Sequence, residues 1–161
     1  MAVIVTYRSD CSVIETLTGN IDSLGTDKEV THNAFNETKT LNSGSTPPAT
    51  KVAAFVQVLD AGAATIDLTA LIGTNSAPVD GTGLKVQVLK FKNLGANTIS
   101  LTPGAVDGYD IFGSDFKVTL SQNQEVLLYG NDSTPDVGGA DKTLDLAGTT
   151  TQTCEIMIIL G

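Results

Sequence analysis

A chain of 161 residues and 16.7 kDa is enough for one domain. At this length it buries roughly 70% of its unfolded surface, so it needs neither a metal nor a disulfide framework to fold. Nine basic residues stand against eighteen acidic ones, a net charge of −9, and that balance repels nucleic-acid phosphates and anionic lipid, arguing against both as partners. Charged residues make up only 17% of the chain, and Thr, Ser, Asn and Gly replace them; such neutral-polar composition is common where proteins pack against copies of themselves or sit outside cells, and is not that of disorder.

In chain order the pattern predicts strands and no helix, because capped runs of period 3.6 are missing and Thr, Val and Ile crowd the periodic segments. The first candidates are residues 2–7 and 12–18. The apolar run after Met1 is too short for a secretory h-region and lacks a basic n-region. No stretch approaches the roughly 18 apolar residues of a membrane span. Residues 29–40 form the next candidate strand and hold His32, the sole histidine. Punctuation at 43–50, with Pro47-Pro48, then separates residues 1–42 from the rest. We expect residues 1–42 to supply outer strands of the same sandwich; the alternative is an arm that packs against a neighbour.

The remaining candidates are 51–59, 64–70, 84–93, 97–102, 116–120, 125–130, 142–147 and 154–160, bounded by Gly, Pro, Asn and Asp turns. Four of them share a Thr-rich phrase: ThrIleAspLeuThr at 65–69, ThrIleSerLeuThr at 98–102, LysValThrLeu at 117–120 and ThrLeuAspLeu at 143–146. Within 84–93 the apolar residues change parity between Val88 and Leu89, which predicts a bulge or a strand covered on both faces. Residues 93–97 read as a tight hairpin joining 84–93 to 97–102. Ile156 to Leu160 is continuously apolar, so it must be covered on both faces. The sum is an all-β, antiparallel double-sheet sandwich of about 8–10 strands over residues 1–161, of jelly-roll type. An immunoglobulin-like sandwich is the alternative, without the Cys–Trp–Cys pattern to support it.

Reactive groups are scarce. A nucleophile triad needs a base, and His32 lies among asparagines in a strand-like stretch. Cys11 and Cys154 are too far apart in sequence to suggest a metal site, and one histidine does not complete one. The acidic loops at 107–110 and 131–136 lack the alternating ligands of a calcium loop. Paired glycosidase carboxylates usually come with aromatic sugar platforms, and the chain has no Trp and three Tyr. We therefore expect no catalytic residues, no cofactor and no metal: not an enzyme. Phe55, Phe91, Phe116 and Tyr129 read as core. Tyr109 and Phe112, in an apolar stretch between glycines, read either as a lid on the core or as a subunit contact.

The residues ThrLysValAlaAlaPhe (50–55), AlaThrIleAspLeuThrAlaLeu (64–71), ValAspGlyThrGlyLeuLysValGln (79–87), AsnThrIleSerLeu (97–101) and GluValLeuLeuTyrGly (125–130), followed by a closing apolar strand, carry a resemblance over roughly 30–161. The chain resembles small all-β virion structural proteins of tailed phages and prophages, in the style of jelly-roll capsid decoration (cement) proteins. The resemblance implies a virion component on the capsid surface, made in the host cytoplasm. It implies the major capsid protein or other virion subunits as partners, and a homo-oligomer, a trimer. On that reading Tyr7, Arg8, His32 and Phe35 of the N-terminal segment join Tyr109 and Phe112 as contact residues. The alternative is a tail- or fibre-associated module that binds a carbohydrate or receptor.

Overall fold

The computed structural model describes residues 2–9, 12–17, 28–32, 37–73, 76–129 and 133–161. Among them there is no helix. The strands are β1 (Val5–Ser9), β2 (Val13–Leu17), β3 (Lys28–His32), β4 (Glu37–Leu41), β5 (Lys51–Val58), β6 (Ala63–Asp67), β7 (Leu71–Ile72), β8 (Pro78–Val79), β9 (Val86–Asn93), β10 (Ile99–Pro103), β11 (Val118–Leu120), β12 (Glu125–Tyr129), β13 (Thr143–Ala147) and β14 (Thr153–Leu160).

Eight of these strands make an antiparallel double-sheet sandwich. Sheet I has the order β12-β9-β14-β5 and sheet II the order β11-β10-β13-β6. Each strand turns alternate residues inward, the two-residue period of a half-buried strand. On β14 the inward set is Cys154, Ile156, Ile158 and Leu160; on β13 it is Leu144 and Leu146; on β10, Ile99 and Leu101. These close on Ala53, Ile66, Leu89 and Phe91 to form one core between the sheets. The pairing is nested. The partners are β5 with β14, β6 with β13, β9 with β12 and β10 with β11, as in a long two-stranded ribbon folded over on itself. Two further pairings, β9 with β14 and β10 with β13, close each sheet.

The parity change in β9 has a local cause. Ile159 lies opposite Val88, and its neighbour Leu160 lies opposite Val86, so Gln87 is an extra residue in the ladder. This bulge lets Val86, Leu89 and Phe91 all face the main core, while Val88 joins a second apolar cluster on the outer face of sheet I. β14 is thus covered on both faces near its end, as its unbroken apolar run requires.

Two expectations are corrected. Residues 93–97 are not a hairpin; they carry the chain from sheet I to sheet II. The reason is Asn93, a fully buried polar residue. Its Nδ2 donates to the carbonyls of Asn97 (2.7 Å) and Leu120 (3.0 Å), and its Oδ1 accepts from Gly95 N–H (2.8 Å). Gln152 adds a bond from Nε2 to the Asn97 carbonyl (2.7 Å). The turn is therefore anchored to the opposite sheet instead of closing back on β9. The single strand expected over 29–40 is also divided: β3 pairs with β2, and β4 pairs with β1.

The sandwich encloses a free thiol, Cys154, with no exposed surface. Burial pushes it from 9.0 up to about 12. Its neutral form is favoured in the folded state, so the stability it contributes is complete below pH 9 and is lost as pH rises towards 12. We expect urea midpoints to fall above pH 9, by at most about 1.4 kcal/mol per pH unit for this group. Cys154→Ala should flatten that slope; an unchanged slope would contradict the assignment.

Candidate interaction surfaces

Three surfaces hold the side chains that could meet a partner. The first is the N-terminal segment, which forms two separate two-stranded ribbons. β1 pairs with β4 from Val5 opposite Leu41 to Ser9 opposite Glu37, and β2 pairs with β3 from Val13 opposite His32 to Leu17 opposite Lys28. Among the described residues, the foot of β1·β4 rests on the sandwich. There Val5 and Leu41 meet Val52, Val88, Met157 and Ile159 in the outer cluster on sheet I. The Lys39 ammonium sits 5.2 Å from the centre of the Tyr129 ring, a cation–π contact. Beyond the foot, Thr6, Arg8, Ser9, residues 12–15, Glu29, Thr31 and Glu37 to Thr40 are all exposed. Val13 and Ile14 keep 50% and 65% of their surface in solvent. Among the described residues, no strand of 1–42 joins either sandwich sheet. Arg8 is thus an exposed side chain on β1. Tyr7 lies on β1 and His32 on β3, but their side chains, with all of Phe35, lie outside the described residues.

The second surface is the loop from 104 to 117. Its strand-like contact to β13 is made by Tyr109, whose N–H donates to the Thr143 carbonyl (2.8 Å). Tyr109 is fully buried. Its hydroxyl accepts from Val86 N–H (3.0 Å) and donates to the Pro135 carbonyl (2.8 Å). Burial raises its pKa above 10.0. Tyr109 is therefore a lid on the core, and its reading as a contact residue is corrected: no part of the ring reaches solvent. Phe112 is different. It stays 55% exposed and meets the edge of Phe116 at 6.3 Å and 83°, while Phe116 packs against the core. Val106 in the same loop is 74% exposed. Asp107, in the acidic stretch weighed for calcium, turns its carboxylate to Lys142 at 3.1 Å. No cluster of three metal-ligating side chains occurs among the described residues.

The third surface explains the Thr-rich phrases. They become β6, β10, β11 and β13 with their flanks, the four strands of sheet II. Each turns its Leu, Ile or Val inward and its Thr, Ser or Asp outward. The outer face is a plane of short side chains: Ser100 lies opposite Thr119 and Ala147, and Asp145 lies opposite Thr102 and Thr65. Asp145 is held within the plane, accepting from the Thr65 hydroxyl (2.6 Å) and from Ala105 N–H (2.8 Å). At one end an open groove of about 360 Å³ is lined by Thr98, Ser100, Lys117, Thr119, Gly148 and Thr149. The sequence announced the motif but not the sheet that collects all four copies, because pairing between distant segments leaves no local signal.

These surfaces offer hydroxyls, an apolar loop tip and an exposed ribbon, which are groups for contact. Compared with known proteins, the chain matches no family model, no curated protein and no solved structure.

Proposed function

We propose that this chain is a non-enzymatic virion structural protein, a decoration protein that binds and stabilises a phage head. The observation that carries the reading is the pair of ribbons. Outside the two-sheet block lie two two-stranded ribbons, β1·β4 and β2·β3, whose described side chains beyond Val5 and Leu41 are exposed. A protein that works by clamping neighbours needs a rigid body and a reaching element. The nested strand order supports a jelly roll, in which two Greek keys wind one ribbon into two sheets. The outer face of sheet II, made mostly of short hydroxyl side chains, suits close approach to a regular lattice. The partner is the major capsid protein or another virion subunit, and the site of action is the capsid surface. A homotrimer would let weak contacts act together on a symmetric shell.

The test is co-sedimentation of the purified chain with head shells assembled from the major capsid protein of the same genome. Saturable pelleting at a fixed ratio to capsid subunits is expected, and it should be lost when residues 1–20 are removed. A chain that stays in the supernatant at every concentration overturns the reading. The groove at Thr98, Ser100, Lys117 and Thr119 favours the second reading, a tail- or fibre-associated carbohydrate-binding module. Glycan-array signal lost in Lys117→Ala and Thr119→Ala would support that one instead.

A further inference from the structure

The β2·β3 ribbon leaves one physical question open: what covers it. A two-stranded ribbon on its own is at best marginally stable in water, and this one holds Val13 and Ile14 in solvent. On the same molecule, the outer face of sheet I has a matching deficit. β5 is the edge strand of that sheet and carries no charge from Val52 to Val58. Lys51 guards only its first position, and the seven uncharged residues that follow on an edge are a template for another chain unless something covers them. Its outward residues Val56 and Val58 are 56% and 54% exposed. Beside them Ala54, Lys90, Glu155 and Met157 line an open groove of about 370 Å³.

We propose that this β5 strip receives the β2·β3 ribbon of a second copy of the chain. The proposal rests on the reading of the ribbon as a reaching arm and names what it reaches first. Three observations favour a second copy. The groove is continuous with the surface that already holds a ribbon foot, since Met157 belongs to both. The apolar excess on the ribbon and the apolar gap on the strip coexist on one molecule, and among the described residues nothing buries either. The charges also fit. The sequence from 10 to 32, which contains β2 and β3, holds five acids and one lysine. In a chain of net charge −9, the outer face of sheet I gathers Lys90 and Lys92, with Lys39 at its margin over Tyr129. Lys90 pairs with Glu125 at 3.3 Å, and Lys92 lies in register between Glu125 and Glu155. That makes the face locally neutral, the least repulsive landing place for an acidic arm. An arm-to-strip contact joins unlike patches, so it is heterologous and closes into a ring when the rotation permits.

The experiment is a mixed cross-link read beside native mass. One full-length chain carries Ile14→Cys and the other Val56→Cys, both in a Cys11→Ser background; Cys154 is buried and does not compete. Oxidation of the mixture is expected to give a covalent heterodimer, while neither chain alone gives a homodimer at the same yield. Light scattering of the unmodified protein should give a multiple of 16.7 kDa, lost to monomer in Val56→Glu and in Ile14→Glu. Both positions are exposed in the single chain, so the far-ultraviolet spectrum and a cooperative unfolding transition should be kept, while the midpoint loses its dependence on protein concentration. That separates lost association from lost folding. A monomer at every concentration overturns the proposal, as does an assembly indifferent to both substitutions. A monomer that still pellets with capsid shells removes the second copy and leaves the decoration reading standing. A multimer that never pellets does the reverse.

Discussion

Ile158→Asp is expected to abolish folding. Ile158 has no exposed surface and sits on β14, between β5 and β9 in the middle of sheet I. Losing its packing costs about 2–5 kcal/mol by analogy with other large-to-small core changes. The carboxyl adds a buried polar group with no partner, at a further several kcal/mol, whether it stays charged or takes up a proton. A domain's whole margin is about 5–15 kcal/mol, so the sum removes most or all of it. Removing residues 156–160 should do the same by a different route. It leaves β5 and β9 without the strand that joins them. The measurement is far-ultraviolet circular dichroism with a thermal scan. A cooperative transition at the parental temperature in Ile158→Asp would mean that β14 is not the centre of the core.

Tyr109→Phe is the second large effect, and its interest lies in how little it changes. The ring and its burial remain, and only the hydroxyl is lost. That hydroxyl accepts from Val86 N–H and donates to the Pro135 carbonyl. It therefore holds the start of β9, the 104–117 loop and the 133–137 segment together. Without it a buried backbone N–H has no acceptor, at a cost of about 1–3 kcal/mol, and the bond to Pro135 is lost as well. We expect a total of about 2–3 kcal/mol in urea unfolding, with an unchanged dependence on denaturant concentration. Its direction with pH is also fixed. A tyrosine whose pKa is raised by burial contributes stability below pH 10 that is lost as pH climbs above it; the variant should lose that part of the alkaline slope. A loss below about 0.5 kcal/mol, the scale of an ordinary surface change, would mean that water replaces the hydroxyl at both partners.

Strand positions were legible because they are written in local alternation. Val118 and Leu120, or Leu144 and Leu146, bury every second residue and need no distant information to be found. The bulge was legible too, since Gln87 shifts the apolar parity of its own strand. What stayed hidden depends on partners far away in sequence. The 93–97 turn looks like a hairpin because Asn and Gly sit where a hairpin would want them. Only the carbonyls of Asn97 and Leu120, reached by one buried amide, reveal that it crosses between sheets. Tyr109 was ambiguous for the same reason. An aromatic between glycines reads alike whether it faces solvent or the Pro135 carbonyl. The two-residue strands β7 and β8 are too short to carry any period. The side chains of Phe112 and Arg8 are exposed, while the four-strand hydroxyl plane emerged only from assembly.

The nested pairing also sets the order in which the molecule can be built. β5 waits for β14, about one hundred residues later, and β14 forms the middle of sheet I. While the chain is being synthesised, β5 and β9 have no strand to bridge them, and their apolar faces stay in water. Sheet I can close only after β14 has left the ribosome. Contacts this distant in sequence make for slow folding, in the range of milliseconds to seconds. Until closure, the nascent chain is a client for anything in the cell that shields unpaired strands.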